Sequence, residues 1–169
     1  REHIEKEFKL VEEIKRKFNV IFIPIDGITE GTACTVLYAK NYIDNDIPLL
    51  IANSDQIVDI NIETFIDDCK DRNLDGSILT FIDEFKDPKW SFAKIDEKDM
   101  VIQVREKVVI SKYATVGIYL YSQGREFVNS AEDMITKNDR VGGEFYTCPT
   151  YNYAIENGSK IGIYNIEPY

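Results

Sequence analysis

Apolar and polar positions follow two rhythms along the chain. Ile4, Phe8, Val11, Ile14 and Phe18 recur at three- and four-residue steps among Glu, Lys and Arg. That spacing predicts an amphipathic helix with a solvated charged face, and its Lys15-Arg16-Lys17 end suits the helix dipole. Asn19 closes it, and the nearly continuous apolar run Val20-Ile21-Phe22-Ile23-Pro24-Ile25 reads as a strand covered on both faces. Asp26 to Gly31 form a loop, and Thr32 to Ile43 a helix with Val36, Leu37 and Ala39 inward. Pro48 to Ala52 is a second buried strand that runs into Asn53-Ser54-Asp55-Gln56. A helix over 62–72 and a strand over 77–82 follow, and this alternation predicts parallel βαβ units.

The second half changes rhythm. Ala93-Lys94-Ile95 and Val101 to Val104 are short segments around a polar turn, as in a hairpin. Thr115 to Tyr121 reads as a longer strand, Arg125 to Lys137 and Tyr146 to Glu156 as helices, and Ile161 to Ile166 as a closing strand after Asn157-Gly158. No repeat or linker divides the chain, so residues 1–169 are expected to form one α/β domain with a mixed sheet.

Composition narrows the chemistry. The 169 residues carry 20 Lys+Arg against 30 Asp+Glu, a formal net charge of −10. Duplex nucleic acid needs a cationic footprint, so nucleic-acid binding is not expected; small anionic ligands held through a divalent metal stay open. No apolar run approaches the ~20 residues of a membrane span, and no membrane partner is expected. Cys34, Cys69 and Cys148 are odd in number and far apart, which fits neither a disulfide framework nor a zinc site and suits the reducing cytoplasm. The single histidine, His3, is expected on the polar side of the first helix. Cys–His or Ser–His catalysis is therefore not expected.

Asp55 is the most informative candidate. It follows a short buried strand, at the carboxyl edge where open α/β sheets bind ligands. A carboxylate there can hold Mg²⁺, which takes one or two carboxylates and leaves its other positions to phosphate and water; the alternative is a turn or helix-capping role before Ile57. Asp71, Asn73, Asp75 and Gly76 match the first half of an EF-hand loop, but Ile82 stands where the bidentate Glu belongs, so calcium is not expected. Gly27 to Ala33 places small residues at a strand-to-helix junction without the dinucleotide fingerprint or the P-loop lysine. Gly142-Gly143-Glu144 alone reads as a flexible turn, and Glu106-Lys107 as a surface ion pair.

Taken in order, six segments resemble the sugar-phosphate nucleotidyltransferases, the nucleoside-diphosphate-sugar pyrophosphorylases, in the form linked to bacterial capsule and surface polysaccharide. They are Thr29 to Leu37, Leu50 to Gln56, Pro88 to Ala93, Val104 to Lys107, Ala114 to Tyr119 and Gly143 to Tyr146. The resemblance implies an open three-layer α/β/α sheet, mixed and mostly parallel. It implies that Asp55 binds the catalytic Mg²⁺ and that Glu30, Gly31, Thr32 and Asn53 join it around the nucleotide. Trp90, Ser91, Glu106, Lys107, Gly117 and Glu144 would line the sugar-phosphate side, with Lys107 on the substrate phosphate.

The activity so implied is transfer of a nucleoside monophosphate from an NTP to a sugar 1-phosphate or similar substrate, with release of pyrophosphate; a homo-oligomer is left open. The family's glycine-rich loop with Arg and Lys has no counterpart here, nor has its second metal-binding aspartate before Pro168-Tyr169. The 169 residues are accordingly expected to be a piece truncated at both ends, with weak turnover alone. Two alternatives stand beside this reading. A metal-dependent glycosyltransferase of similar fold would show a second aspartate where Asn53 lies. A non-catalytic regulatory or oligomerisation domain would keep the fold without the chemistry.

Overall fold

The structure, a computed structural model, describes residues 2–166 apart from the His3 side chain. The position expected for His3 and the Pro168-Tyr169 end lie outside the described residues. The elements are α1 (Glu2–Lys6), α2 (Phe8–Lys17), α3 (Thr32–Leu37), α4 (Lys40–Ile43), β1 (Leu49–Ala52), α5 (Ile62–Asp71), β2 (Gly76–Ile82), β3 (Ser91–Ile95), β4 (Val101–Glu106), β5 (Tyr113–Tyr121), α6 (Gly124–Thr136), α7 (Thr150–Glu156) and β6 (Ile161–Ile166).

The sheet has the order β4-β3-β5-β2-β6, and β1 also pairs with β5. β1, β2 and β3 all run antiparallel to β5, while β6 runs parallel to β2. Four strands therefore share one direction, and β4 and β5 oppose them. Because the reversed β5 lies between β1 and β2, the β2–β6 pair is the one parallel ladder among the described residues.

Both faces of the sheet are covered, which gives the three layers. On one face Phe127, Val128 and Ala131 of α6 and Tyr151 and Ala154 of α7 pack on Ile78, Val104, Tyr121 and Ile161. Tyr121 and Tyr151 stack there with ring centroids 4.5 Å apart. On the other face Phe65 and Cys69 of α5 pack on Leu79, Ile118 and Leu120. Asn61 starts α5 by accepting the Glu63 N–H at 2.9 Å, a side-chain cap of the usual kind. Truncating the fully buried Phe65 to Ala would cost about 3–5 kcal/mol by leaving a cavity.

Four segments depart from the sequence expectation. The first helix breaks at Glu7, and Val11 is its one buried residue in α2, with Phe8 63% and Leu10 53% exposed. No strand forms over 20–25 among the described residues. Pro24, inside this apolar run, has no N–H to give a ladder. The helix expected over 32–43 tightens where Tyr38 and Ala39 bond back three residues, to Thr35 and Val36, and restarts as α4. The helix expected from Tyr146 begins at Thr150, because Pro149 disfavours helical geometry in the residue before it. Residues 146–148 are freed for another task.

Candidate active-site cleft

β5 is paired unevenly along the side that faces β1 and β3. β3 meets it at Tyr113 and Ala114, β1 at Ile118 to Tyr121, and neither pairs with Thr115, Val116 or Gly117. On its other side the ladder slips between Ile78↔Tyr119 and Thr80↔Thr115, so β5 bulges over the same stretch. Bulges of this kind redirect backbone and side chains beside functional sites.

The tetrapeptide after β1 crosses this gap. The Asn53 N–H donates to the Gly117 carbonyl at 3.2 Å, and Gln56 Nε2 donates to the Val116 carbonyl at 2.6 Å. Backbone acceptors that a neighbouring strand would have taken are thus satisfied by a loop. Gly117 has φ +87°, and a Cβ there would stand 2.3 Å from Asn53 Nδ2. A side chain at this position would push the loop away.

A cleft of about 600 Å³ opens at this parting of strands, lined by Ile51 to Gln56, Lys89 to Ser91, Glu106, Thr115 to Gly117, Tyr119, Tyr146 to Cys148 and one side of α3. Ligands of open α/β sheets bind in such a crevice. Its floor is polar, and Ser91, Glu106, Thr115 and Tyr119 are all buried there. Ser91 Oγ donates to Glu106 Oε2, and Tyr119 and Thr115 share their hydroxyls at 3.2 Å. Burial pushes the Glu106 carboxyl above its ordinary range, opposed by the Ser91 hydrogen bond and the Lys107 ammonium. Burial also raises the Tyr119 hydroxyl and the Cys148 thiol, which keeps both protonated.

The rim is open and charged. Lys89 lies 4.8 Å over the Trp90 ring, and Lys107 lies 4.7 Å over the Tyr146 ring while Nζ donates to its hydroxyl at 2.7 Å. That hydrogen bond raises the Lys107 pKa, so the ammonium is fully charged at neutral pH. Asp55 is exposed on the rim.

Of the residues singled out in the sequence, Thr32, Asn53, Asp55, Trp90, Ser91, Glu106 and Gly117 line the cleft, and Lys107 stands at its edge beside Tyr146. Glu30, Gly31 and Glu144 lie outside the lining. Glu30 forms an ion pair with Arg140, and its carbonyl accepts the Phe145 N–H at 2.8 Å. A Cβ on Gly31 would come 2.4 Å from the Phe145 carbonyl oxygen. Glu144 sits in the turn closed by its own N–H to the Val141 carbonyl. These contacts hold the segment 30–33 against 145–147, where Thr32 Oγ1 accepts the Thr147 N–H at 2.9 Å.

Tyr146, Thr147, Tyr119 and Gln56 were not apparent from the sequence as cleft residues. Pro149 carried the signal for the first two, since it ends helical geometry before Thr150. Tyr119 and Gln56 join the cleft through the bulge of β5, for which the local sequence gives no sign beyond Gly117.

The donor set can be set against Mg²⁺. No group of three His, Cys, Asp or Glu stands together among the described residues. Asp55 is a single exposed carboxylate with no hydrogen bond or ion pair to another described residue. That fits a cation shared with substrate phosphates and water; it does not fit one caged by protein.

An open three-layer α/β sheet with a ligand-sized crevice where its strands part is the architecture of nucleotide-handling α/β proteins. The chain belongs to the nucleotidyl transferase family, whose model matches residues 2–147. No curated protein matches it in sequence. In structure it is similar to the nucleoside-diphosphate-sugar pyrophosphorylase of Vibrio cholerae RC9, with 24% identity and a TM-score of 0.73 over 94% of this chain and 67% of that one. It is also similar to a protein of Bacillus anthracis described as a glucose-1-phosphate thymidylyltransferase, solved in complex with a sucrose. There the identity is 18% and the TM-score 0.72, over 96% of this chain and 65% of that one. The chain thus spans about two thirds of the length of these structures, and at such identities the likeness is one of fold.

Proposed function

We propose that this chain carries the central part of a Mg²⁺-dependent sugar-phosphate nucleotidyltransferase, acting in the cytoplasm on precursors of surface polysaccharide. Family membership and the cleft support this reading, and one arrangement carries it. An exposed carboxylate, Asp55, and the ammonium groups of Lys89 and Lys107 stand on the open rim, while a buried Ser91–Glu106 pair forms the floor.

The substrates are an NTP and a sugar 1-phosphate. An oxygen of the sugar phosphate attacks the α-phosphorus in line. The bond from that phosphorus to the oxygen bridging to the β-phosphate breaks, and pyrophosphate leaves with that oxygen and its electron pair. Asp55 would hold Mg²⁺, which when bound neutralises negative charge on the phosphates. Asn53 and Thr32 face the nucleotide, and Glu30 and Gly31 hold Thr32 in place from behind. Lys107 meets the acceptor phosphate as a full positive charge. Glu106 and Ser91 accept hydrogen bonds from sugar hydroxyls, Trp90 and Gly117 shape that end, and Glu144 fixes the turn leading to Tyr146. Positioning and electrostatics supply most of the catalysis in such a transfer.

The test is pyrophosphate release by the full-length protein given glucose 1-phosphate, Mg²⁺ and each NTP in turn. Asp55→Ala is expected to lower the rate at least a hundredfold, roughly what several kcal/mol of lost charge stabilisation implies, with the melting temperature unchanged. Unchanged turnover in Asp55→Ala would remove the assigned role. Release of nucleoside diphosphate from a nucleotide sugar, without pyrophosphate, would favour a glycosyltransferase.

A further inference from the structure

β4 ends the sheet on the β3 side. An outermost strand turns the N–H and C=O of every second residue away from the sheet, where they invite another strand. At Val104 both groups are taken by one side chain. The Val104 N–H donates to Asn152 Oδ1 at 2.9 Å, and Asn152 Nδ2 donates to the Val104 carbonyl at 3.0 Å. The Asn152 amide therefore reproduces the pairing of a peptide group in a neighbouring strand.

What it joins is informative. Asn152 stands on α7, and the residues leading into α7 are Tyr146, Thr147 and Cys148 of the cleft. Val104 is two residues before Glu106 on β4. The same two parts of the chain meet again where Lys107 Nζ donates to the Tyr146 hydroxyl at 2.7 Å. Lys107 has φ +56°, a backbone conformation that a residue with a side chain keeps where its surroundings fix it. Its own N–H donates to the Trp90 carbonyl at 3.1 Å. Without the Asn152 clasp the Glu106–Lys107 corner would be held on the β3 side, by the Ser91–Glu106 pair and the Trp90 carbonyl, and by Tyr146, with nothing fixing β4 to α7 at Val104.

We propose that Asn152, which touches no substrate, is a positioning residue for the acceptor end of the cleft. By gripping Val104 at both backbone groups it fixes the end of β4 against α7. That grip sets where the Glu106 carboxyl and the Lys107 ammonium stand relative to Tyr146. The inference rests on the reading that Glu106 and Lys107 meet the phosphorylated acceptor. The rival role for Asn152 is to block strand addition at the sheet edge, which would leave acceptor binding untouched.

The test compares wild type with Asn152→Ala, which removes both hydrogen bonds, and with Asn152→Asp, which keeps the size and the acceptor for the Val104 N–H. Two quantities are measured: amide exchange at Val104 and Lys107, and binding followed through Trp90, the single tryptophan of the chain. The probes are glucose 1-phosphate and whichever of ATP, CTP, GTP, UTP and dTTP binds wild type most tightly with Mg²⁺. Asn152→Ala should expose the Lys107 amide to exchange and raise the glucose 1-phosphate dissociation constant about tenfold, the size set by one or two net hydrogen bonds. Asn152→Asp should show a smaller rise, and nucleotide affinity should stay within about twofold. Unchanged protection at Lys107, or a parallel fall in both affinities, overturns the proposal. If wild type itself fails to bind glucose 1-phosphate, the functional reading falls, and the Lys107 exchange alone then decides whether Asn152 positions that corner.

Discussion

The Asn53 side-chain amide occupies the space that a side chain on Gly117 would fill: a Cβ on Gly117 would stand 2.3 Å from Asn53 Nδ2. With the hydrogen bonds of Asn53 N–H and Gln56 Nε2 to the Gly117 and Val116 carbonyls, this packing ties the loop carrying Asp55 to the bulge of β5. Gly117→Ala should therefore fail twice, through φ +87° and through displacement of Asn53. A stability loss of about 1–3 kcal/mol is expected from the backbone alone. Thermal melting measures it, and nucleotide affinity should fall beyond what the melt accounts for.

Gly31 permits a different close approach. A Cβ there would lie 2.4 to 2.8 Å from the backbone of Phe145, whose carbonyl accepts the Ala33 N–H at 3.0 Å. Gly31→Ala is expected to cost more than about 2 kcal/mol in a denaturant titration, combining overpacking with an unfavourable φ. Gly27→Ala, which meets nothing within 4 Å, should stay within about 0.5 kcal/mol. Equal losses in the two variants would refute this account of the 30–33 segment.

Glu106 gives a pH dependence with a definite sign. Burial, the largest cause, raises its folded pKa above the ordinary 4.5. The native state thus holds this proton more tightly than the unfolded chain. Its contribution to stability is complete below about pH 4.5 and is lost as pH rises through the folded value. Glu106→Gln keeps an acceptor for Ser91 and never ionises. Relative to wild type it should gain stability as pH rises above 4.5 and lose that advantage below it, which urea melts across pH will show. Its affinity for glucose 1-phosphate should fall several-fold, about the worth of one hydrogen bond. Parallel stability curves for the two proteins would contradict the buried-carboxyl account.

Much of the fold was legible because its periodicities are local. β2 and β5, the amphipathic α5, and α6 all follow from the spacing of apolar residues. The apolar run over 20–25 shows the limit, since a strand needs a partner that its own sequence does not contain. Of the candidate site, Asp55 followed from its place after a short apolar strand. That run predicts a buried strand, yet β1 is half-exposed, with Leu50 on the surface, because it has β5 alone as a neighbour. The Ser91–Glu106 pair was named through resemblance, yet their contact across 15 residues is a property of the β3–β4 register. Glu30, Gly31 and Glu144 lie close to cleft residues in sequence, but Glu30 and Gly31 meet Arg140 and Phe145 behind Thr32, and Glu144 closes its own turn with Val141. Tyr146 and Thr147 lie in an irregular segment before Pro149, where the apolar spacing reads as helix but the chain turns instead.

The central claim is that the Asp55 rim and the Glu106 floor form one site for nucleotide and acceptor together. A crystal structure of the protein with Mg²⁺, a non-hydrolysable NTP analogue and glucose 1-phosphate tests it most directly. The account predicts an Asp55 carboxylate oxygen about 2.0–2.1 Å from a metal that also contacts phosphate, with the sugar hydroxyls on Glu106 and Ser91. Nucleotide bound elsewhere on the sheet, or Asp55 turned away from a metal that phosphate still holds, would contradict it.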